Sequence, residues 1–317
     1  MASESGHIKI AIIGVGAVGA TAAYALMISG IGEEIVLVDV NEHKAEGEAM
    51  DLAQGAPFVR PVNIRAGKYA DCAGAQVVVI TAGAAQRPGE SRLDLVKRNA
   101  QIFRDMVPQI AQAAPDAVLL IVANPVDILT YASLEFSGFP PSRVIGSGTV
   151  LDTARLRALI SQKLQVDPRS VHAYVIGEHG DSEVVAWSRA TVAGMPINEF
   201  CSQRGRPCDA EMQAQISAQV RRAAYEIIER KGATFYAIGL SIRQIVESIL
   251  RNQNTVLSVS TLLTGQLGVS GVCLSLPAIV CRDGVEAVLV PGINDDEADA
   301  FRRSGRVVRD TATASGF

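Results

Sequence analysis

A histidine between two glycines is the first candidate for acid–base chemistry in this chain. His179 lies in the segment Ile176-Gly-Glu-His-Gly-Asp181, directly after an apolar run. Because the ordinary pKa of imidazole lies near neutrality, a histidine in such a turn can donate and accept a proton. Taken by itself, the segment fits a structural histidine equally well.

A carboxylate and an arginine share one face of a helix that we predict over Thr149–Lys163. Asp152 and Arg155 are three positions apart, which places them about 60° apart around the helix axis. An aspartate can orient a histidine, and an arginine can bind a carboxylate through two hydrogen bonds. Arg157 lies about 200° from Arg155 and points elsewhere. The alternative is an N-capping aspartate followed by solvated arginines.

Two polar segments follow apolar runs that we predict to be strands. The loop Ala85-Gln-Arg-Pro-Gly-Glu-Ser-Arg92 follows Ala75–Thr81, and Asn124-Pro125 follows Ala117–Ala123. Ligands bind at the carboxyl ends of parallel strands in open sheets, so both segments lie where a ligand is expected. The alternatives are an ordinary surface loop and a turn.

A glycine-rich turn opens the first predicted helix and suits a dinucleotide. Gly14-Val-Gly-Ala-Val-Gly19 follows the first predicted strand, and such glycines let the backbone approach a pyrophosphate. Asp39 ends the second predicted strand, twenty residues after Gly19. Its carboxylate can accept hydrogen bonds from ribose hydroxyls and would repel a 2′-phosphate, which favours NAD over NADP. A glycine turn with a surface aspartate is the alternative.

Together these groups suit the transfer of a hydride between a nicotinamide and a carbonyl. That reaction needs a proton donor for the developing alkoxide and a carboxylate that orients the donor. It also needs a cation beside the carbonyl and an arginine for a substrate carboxylate.

The first half of the chain predicts the scaffold for these groups. Near-continuous apolar strands separated by helices indicate an α/β fold with a doubly wound parallel sheet, covered on both faces. The predicted strands are His7–Ile13, Glu34–Val40, Ala75–Thr81, Ala117–Ala123 and, as the last strand of the sheet, Val144–Gly148. The predicted helices are Ala17–Ser29, Asn41–Gln54 and Asp94–Ala114.

The second half predicts a mixed arrangement of helices and strands. We place the domain boundary near Gly148, giving a nucleotide-binding domain over residues 1–148 and a catalytic domain over residues 149–317. The predicted helices are Thr149–Lys163, Glu211–Lys231 and Asp295–Thr311. The predicted strands are Val171–Ile176, Ser182–Ala190, Gly271–Val280 and Gly284–Val290.

Composition argues against several classes of function. The chain of 317 residues has 29 basic and 33 acidic residues and no basic run, so nucleic acid is not an expected partner. The apolar stretches are shorter than the roughly 20 residues that span a bilayer, and the polar N-terminus lacks a signal-peptide pattern. Five scattered cysteines favour reduced thiols in a cytoplasmic protein over a disulfide framework or a metal site.

The sequence resembles the NAD-dependent L-lactate dehydrogenases of bacteria, within the lactate/malate dehydrogenase family, from about residue 8 to the C-terminus. The most specific matching segments are GVGAVG, TAGAAQRPGESRLDLV, ANPVD, GSGTVLDTARLR, IGEHGDSE and KGATFYAIG. The resemblance implies a Rossmann-type domain joined to a mixed α+β catalytic domain, usually assembled as a homotetramer. It also implies the reversible reduction of pyruvate to L-lactate with NADH.

The resemblance assigns a role to each candidate residue. It makes His179 the acid/base, held by Asp152. Arg155 then binds the substrate carboxylate, and Arg92 polarises the ketone when its loop closes. Asn124 would contact the substrate and the nicotinamide amide.

Further contacts are implied by the family pattern. Thr234, in KGATFYAIG, would lie beside the substrate. The positions that match the family's NAD site, with the glycines of the turn, are Gly14, Gly16, Val18, Gly19, Asp39, Lys44, Tyr69, Gly83, Ala84, Val122, Ala123, Asn124 and Ser147.

Within this family, the residue six positions before the loop arginine determines which substrate is accepted. In this chain that residue is Gln86. Malate enzymes carry an arginine there, because oxaloacetate has a second carboxylate. Pyruvate presents a methyl group, which suits the neutral Gln86. Arg87 is the next residue, and a different path of the loop would turn it inward, so malate dehydrogenase is the alternative within the family.

A non-catalytic NAD-binding protein is the alternative of another class, although His179, Asp152, Arg155 and Arg92 are all present.

The resemblance also suggests an effector site. In many bacterial members an arginine and a histidine that match Arg157 and His172 bind fructose 1,6-bisphosphate across a subunit interface. Two facing cations would repel one another, and a bisphosphate would relieve that repulsion. The alternative is a surface arginine and a strand histidine without a shared ligand.

Overall fold

A computed structural model of the protein describes residues 7–84 and 92–317, without the side chain of Arg92. The elements of the first half are β1 (Lys9–Ile13), α1 (Ala17–Ser29), β2 (Glu34–Val38), α2 (Glu42–Gln54), β3 (Asn63–Ala66), β4 (Val77–Ile80), α3 (Arg92–Ala113), β5 (Val118–Ile121), α4 (Val126–Ser137) and β6 (Val144–Gly146). Those of the second half are α5 (Val150–Leu164), β7 (Val171–His172), β8 (Val175–Ile176), β9 (Val184–Val185), β10 (Thr191–Val192), β11 (Met195–Pro196), α6 (Ile197–Gln203), α7 (Ala210–Lys231), α8 (Tyr236–Leu250), β12 (Thr255–Thr264), β13 (Ser270–Cys281), β14 (Gly284–Val288) and α9 (Asp295–Ala314). Within these ranges no helix is both long and apolar enough to cross a membrane.

Nine of the described strands form a large mixed sheet in the order β14-β13-β12-β6-β5-β4-β1-β2-β3, and the others form the smaller sheets β11-β10-β7 and β8-β9. The strands from β6 to β3 are parallel, which confirms the predicted α/β class and its doubly wound sheet. The last parallel strand is β6, as predicted for Val144–Gly148, but the antiparallel extension beyond it was not predicted. Ser260 of β12 pairs antiparallel with Gly146 of β6, and β13 and β14 extend the sheet further. This pairing joins strands more than a hundred residues apart, which no local pattern reports.

The parallel strands are buried because helices cover both faces of the sheet. All residues of β1 and β2 are buried. Ile10 and Leu37 lie in the cluster that includes residues of α1 and α8, whereas Ile13 and Ile80 lie in the cluster around Phe103 of α3. Burying a large apolar side chain stabilises the fold by about 1.5–3 kcal/mol. The loops at the carboxyl ends of these strands therefore rest on a rigid layer.

Several elements differ from the predictions. The run Val171–Ile176 forms two short strands rather than one, because β7 pairs with β10 whereas β8 pairs with β9. The run Ser182–Ala190 contains β9 followed by a turn of 3-10 helix. The elements β3, α4, β10, β11, α6, α8 and β12 were not predicted.

The expectation of reduced thiols is wrong for one pair of cysteines. Cys201 and Cys208 form a disulfide, with their Cα atoms 5.9 Å apart. The chain folds back after α6, where the backbone N–H of Arg206 donates to the carbonyl of Cys201 at 3.0 Å, and this turn brings the second cysteine close. Cys72, Cys273 and Cys281 are free and buried.

Candidate active site

The glycine turn after β1 leaves open space at the beginning of α1. Gly14 has a φ of +91°, and a Cβ there would lie 2.6 Å from the backbone of Ala82, so another residue type would be strained and crowded. Gly16 caps α1, and a Cβ at Gly16 would meet no protein atom within 4 Å. The space beside Gly16 therefore lies at the positive end of the helix dipole, where a phosphate is stabilised.

Asp39 lies beside this turn and is held by two backbone groups. Its Oδ2 accepts from the N–H of Val15 at 2.8 Å, and its Oδ1 accepts from the N–H of Asn41 at 2.9 Å. Each carboxylate oxygen has a further lone pair that can accept a ribose hydroxyl. The residues present thus fit NAD, which offers a pyrophosphate and ribose hydroxyls.

A cavity of about 220 Å³ joins the glycine turn to Asp39. Of the positions assigned to NAD, it is lined by Gly14, Gly16, Asp39, Lys44, Tyr69 and Gly83. The others are not among its lining residues. Val18 and Val122 pack against the core, and Ala123 and Ser147 are buried just after β5 and β6. Gly19 is buried within α1, Ala84 is half-buried after β4, and Asn124 lines a second cavity.

The imidazole of His179 is paired with a buried carboxylate in this second cavity. His179 lies in the turn between β8 and β9, and its Nδ1 is 2.5 Å from Oδ2 of Asp152 in the first turn of α5. The other carboxylate oxygen, Oδ1, accepts from Nη1 of Arg155 at 2.8 Å. As their spacing predicts, Asp152 and Arg155 share one face of the helix.

The opposite charges of His179, Asp152 and Arg155 stabilise one another and offset the cost of burying charged groups. Burial lowers the pKa of His179, but the charge and hydrogen bond of Asp152 outweigh it and raise the pKa to about 9. Burial also opposes ionisation of Asp152, yet its pKa is lowered because His179 and Arg155 stabilise the carboxylate. His179 therefore carries its proton at neutral pH.

Asp127 is a functional candidate that the sequence analysis missed. It lies in the first turn of α4 and is 2% exposed. Its Oδ2 accepts from the backbone N–H of His179 at 2.8 Å, and its Oδ1 accepts from the hydroxyl of Ser260 at 2.6 Å. The signal for it was an acidic residue two positions after Pro125, in a segment otherwise rich in apolar residues.

Asn99 is a second missed residue, and it ties two strand ends together. Its Oδ1 accepts from the N–H of Ala84 at 2.7 Å, and its Nδ2 donates to the carbonyl of Asn124 at 3.0 Å. Asn99 is 1% exposed. An asparagine on the buried face of a long helix was the signal that could have found it, because buried amides need hydrogen-bond partners.

The second cavity, of about 380 Å³, brings together His179, Asp152 and Arg155. Its lining residues include Asn124, Asp152, Arg155, His179, Glu183, Arg221 and Tyr225. Glu183 is buried, its Oε1 has no hydrogen-bond partner among the described residues, and burial raises its pKa to about 8. Thr234 lies half-buried between α7 and α8 and does not line this cavity. Gln86, Arg87 and the side chain of Arg92 lie outside the described residues.

Arg157 and His172 line a third cavity, of about 400 Å³. Nη2 of Arg157 donates to the carbonyl of Pro168 at 3.2 Å. Its Nε is buried and has no partner within residues 7–84 and 92–317. Arg155 and Arg157 thus face different cavities, as the helical spacing predicts.

Comparisons with known proteins cover nearly the whole chain. Residues 8–146 match the family model described as lactate/malate dehydrogenase, NAD binding domain, and residues 149–314 match lactate/malate dehydrogenase, alpha/beta C-terminal domain. The chain is 53% identical over 301 residues to an L-lactate dehydrogenase of Thermoanaerobacter sp. strain X514, covering 95% of this chain and 97% of that protein. It is 53% identical over 314 residues to an L-lactate dehydrogenase of Gloeobacter violaceus, covering 99% of this chain and 95% of that protein.

A solved structure agrees with these relatives. The minor L-lactate dehydrogenase from Enterococcus mundtii, crystallised in a ligands-bound form, has a TM-score of 0.94 and 44% identity, covering 97% of this chain and 98% of that one. This chain therefore belongs to the lactate/malate dehydrogenase family of NAD-dependent oxidoreductases.

Proposed function

We propose that this enzyme interconverts pyruvate and L-lactate with NAD as its cofactor. The observation that supports the proposal most directly is a single cavity in which His179, Asp152 and Arg155 meet beside Asn124. The three relatives described above are L-lactate dehydrogenases, which favours the same reaction. In this proposal residues 1–148 bind NAD, and residues 149–317 carry His179, Asp152 and Arg155.

His179 is the acid and base of the proposed reaction. NAD in its reduced form supplies the hydride when bound. During pyruvate reduction, Nδ1–H of His179 donates to Asp152, while Nε2–H gives its proton to the carbonyl oxygen as that oxygen becomes an alkoxide. His179 is then neutral, and in the reverse direction it accepts the hydroxyl proton of lactate. The pKa of about 9 keeps His179 charged at neutral pH, as reduction requires.

Two arginines bind and polarise the substrate in this proposal. Nη1 of Arg155 donates to Asp152, and a guanidinium has five N–H donors, so others remain for a substrate carboxylate. Arg92 polarises the ketone when its loop closes, and Thr234 lies beside the substrate. The roles of Arg92 and Thr234 rest on their places in the motifs TAGAAQRPGESRLDLV and KGATFYAIG.

Gln86 selects pyruvate over oxaloacetate in this proposal. A neutral amide suits a methyl group, whereas a second substrate carboxylate would need a cation. The test is kcat/KM with NADH for pyruvate and for oxaloacetate on one enzyme preparation. A preference for pyruvate of about a hundredfold, on the order of 3 kcal/mol, supports the proposal. A preference for oxaloacetate would favour malate dehydrogenase, and no turnover of either would favour a non-catalytic NAD-binding protein.

We also propose that fructose 1,6-bisphosphate binds at Arg157 and His172. These two residues line one cavity, and the unpartnered Nε of Arg157 leaves a buried donor for a phosphate oxygen. Titration of the sugar bisphosphate is expected to lower the KM for pyruvate, and Arg157→Gln to abolish that effect. An unchanged pyruvate saturation curve for the unaltered enzyme would rule out this regulation.

A homotetramer is the proposed assembly. The helices α1 and α8 pack against each other. They leave large apolar side chains exposed, namely Tyr24, Ile28, Tyr236 and Leu240, each more than half exposed. Such a patch is typical of a protein interface. Sedimentation velocity is expected to give about four times the chain mass of 33.5 kDa, and a monomer would contradict the proposal.

A further inference from the structure

We infer that Asp127 is a positioning residue for the reaction: it fixes the main chain of His179, and its negative charge helps His179 to hold its proton. The inference rests on the acid–base role proposed for His179. Asp152 holds the imidazole ring, whereas Asp127 binds the backbone of the same residue. The two carboxylates therefore fix His179 at two separate points.

Asp127 joins three elements that meet behind the active-site cavity. It belongs to α4, its Oδ2 accepts from the turn that carries His179, and its Oδ1 accepts from Ser260 of β12. Ser260 is fully buried and lies opposite Gly146 of β6 in the sheet. A displacement of the His179 turn thus requires breaking a partly buried hydrogen bond to a carboxylate, and hydrogen bonds to charged groups are among the stronger kinds.

Asp127 also connects the backbone of His179 to the carboxyl ends of the parallel strands, where the cofactor is expected to bind. Asn124 and Pro125 directly precede α4, and the carbonyl of Asn124 is held by Asn99. One short segment therefore carries a residue that lines the cavity and the residue that holds the backbone of His179. This linkage fixes the position of the proton donor relative to the site at which the nicotinamide is expected. Such positioning matters because small misplacements in active sites reduce rates strongly.

The charge of Asp127 belongs to a cluster around His179. Asp152 and Asp127 favour the charged imidazole, and Glu183 does so once it is ionised, whereas the positively charged Arg155 and Arg221 line the same cavity. Burial raises the pKa of Asp127 to about 6, while the hydrogen bonds from Ser260 and His179 lower it, and the neighbouring Glu178 raises it. Asp127 is therefore ionised at neutral pH and loses its charge below about pH 6.

Two variants of Asp127 separate its two effects. Asp127→Asn keeps an oxygen that accepts from the His179 N–H and places an amide that can donate to Ser260, so it removes the charge alone. Asp127→Ala removes the charge and both hydrogen bonds. Ser133→Ala is the matched control, because the Ser133 hydroxyl is equally buried on α4 and donates to the carbonyl of Leu129, away from His179.

The experiment measures kcat, the KM for pyruvate, the Kd for NADH and the pH profile of pyruvate reduction. We expect Asp127→Ala to lower kcat by at least about thirtyfold, while the Kd for NADH changes by less than about threefold. We expect Asp127→Asn to keep kcat within about fivefold and to shift the upper apparent pKa of the profile down by about half a unit or more. Ser133→Ala is expected to match the unaltered enzyme in kcat and in its pH profile.

Other results would overturn the inference. A kcat of Asp127→Ala within about threefold of the unaltered enzyme would mean that the backbone contact positions nothing. An unshifted pH profile in Asp127→Asn would mean that the charge of Asp127 does not affect the pKa of His179. If Asp127→Ala does not fold, the result for Asp127→Asn tests the inference on its own. If His179→Asn turns over normally, the proposed function itself fails. If His179→Asn is inactive while both Asp127 variants behave normally, the role of Asp127 alone is wrong.

Discussion

The Nδ1 atom of His179 lies 2.5 Å from Oδ2 of Asp152, and this carboxylate is 2% exposed. A charged hydrogen bond that is shielded from water is stronger than the same bond in solvent. The other oxygen of Asp152 accepts from Arg155, so the carboxylate lies between two cationic groups. This arrangement accounts for a raised pKa of His179 beside a lowered pKa of Asp152.

Asp152→Asn removes the charge that holds the proton on His179. We expect kcat for pyruvate reduction to fall by about a hundredfold or more, and the apparent pKa of His179 to fall toward its ordinary value. The pH profile of kcat/KM measures both effects. Asp167→Asn is the control, because Asp167 is an exposed carboxylate paired with Arg169. If the pH profile of Asp152→Asn coincides with that of the unaltered enzyme, Asp152 does not hold the proton on His179.

Stability should depend on pH through His179. The pKa of His179 is about 9 in the folded chain, against an ordinary value of 6.5, so the folded state binds the proton more tightly. This stabilisation is complete below about pH 6.5 and is lost as the pH rises through about 9. Between these two values the free energy of unfolding should fall by on the order of 2 kcal/mol more in the unaltered protein than in His179→Asn. Urea unfolding at both pH values measures the difference, and equal losses would contradict the raised pKa.

Gly16→Ala tests the glycine turn as a phosphate site. A Cβ at Gly16 meets no protein atom within 4 Å, so we expect the fold to accept the methyl group and its melting temperature to stay within about 2 °C. The methyl group would enter the space assigned to the pyrophosphate, and we expect NADH to bind at least about tenfold more weakly. Gly47→Ala in α2 is the control, because a Cβ there also meets open space. NADH titrations that give one Kd for both variants would place the pyrophosphate elsewhere.

Arg155→Lys tests the substrate anchor. A lysine keeps the positive charge but cannot form two parallel hydrogen bonds to a carboxylate. We expect kcat/KM for pyruvate to fall by about a hundredfold. Arg157→Lys, two positions further on the other side of the helix, is expected to leave pyruvate kinetics unchanged without an effector. If Arg155→Lys has the KM for pyruvate of the unaltered enzyme, the carboxylate is bound by another group.

Local patterns predicted much of the fold and part of the candidate site. The parallel strands were evident because helices cover both faces and leave nearly continuous apolar runs, and α1 was predicted with its observed bounds. The helical spacing of Asp152 and Arg155 placed them on one face, where they form an ion pair. These relationships depend on neighbours within one element, so a short stretch of sequence carries them.

Contacts between distant segments left no such signal. Asp127 and Ser260 are 133 positions apart, and Asp127 and His179 are 52 apart. The pairing of β12 with β6 also joins distant residues, so the antiparallel extension of the sheet was not predicted. A polar residue in an otherwise apolar segment is the one sequence feature that indicates such contacts, because a buried polar atom requires a hydrogen-bond partner.

His179→Asn is the decisive variant, because His179 is the residue proposed to transfer the proton. Its kcat for pyruvate reduction should be measured beside the Kd for NADH, obtained from fluorescence titration of the same preparation. We expect kcat to fall by at least about a thousandfold, because the proton donor is lost, while the Kd for NADH stays within about threefold. A His179→Asn enzyme that reduces pyruvate at a rate near that of the unaltered enzyme would show that another group supplies the proton.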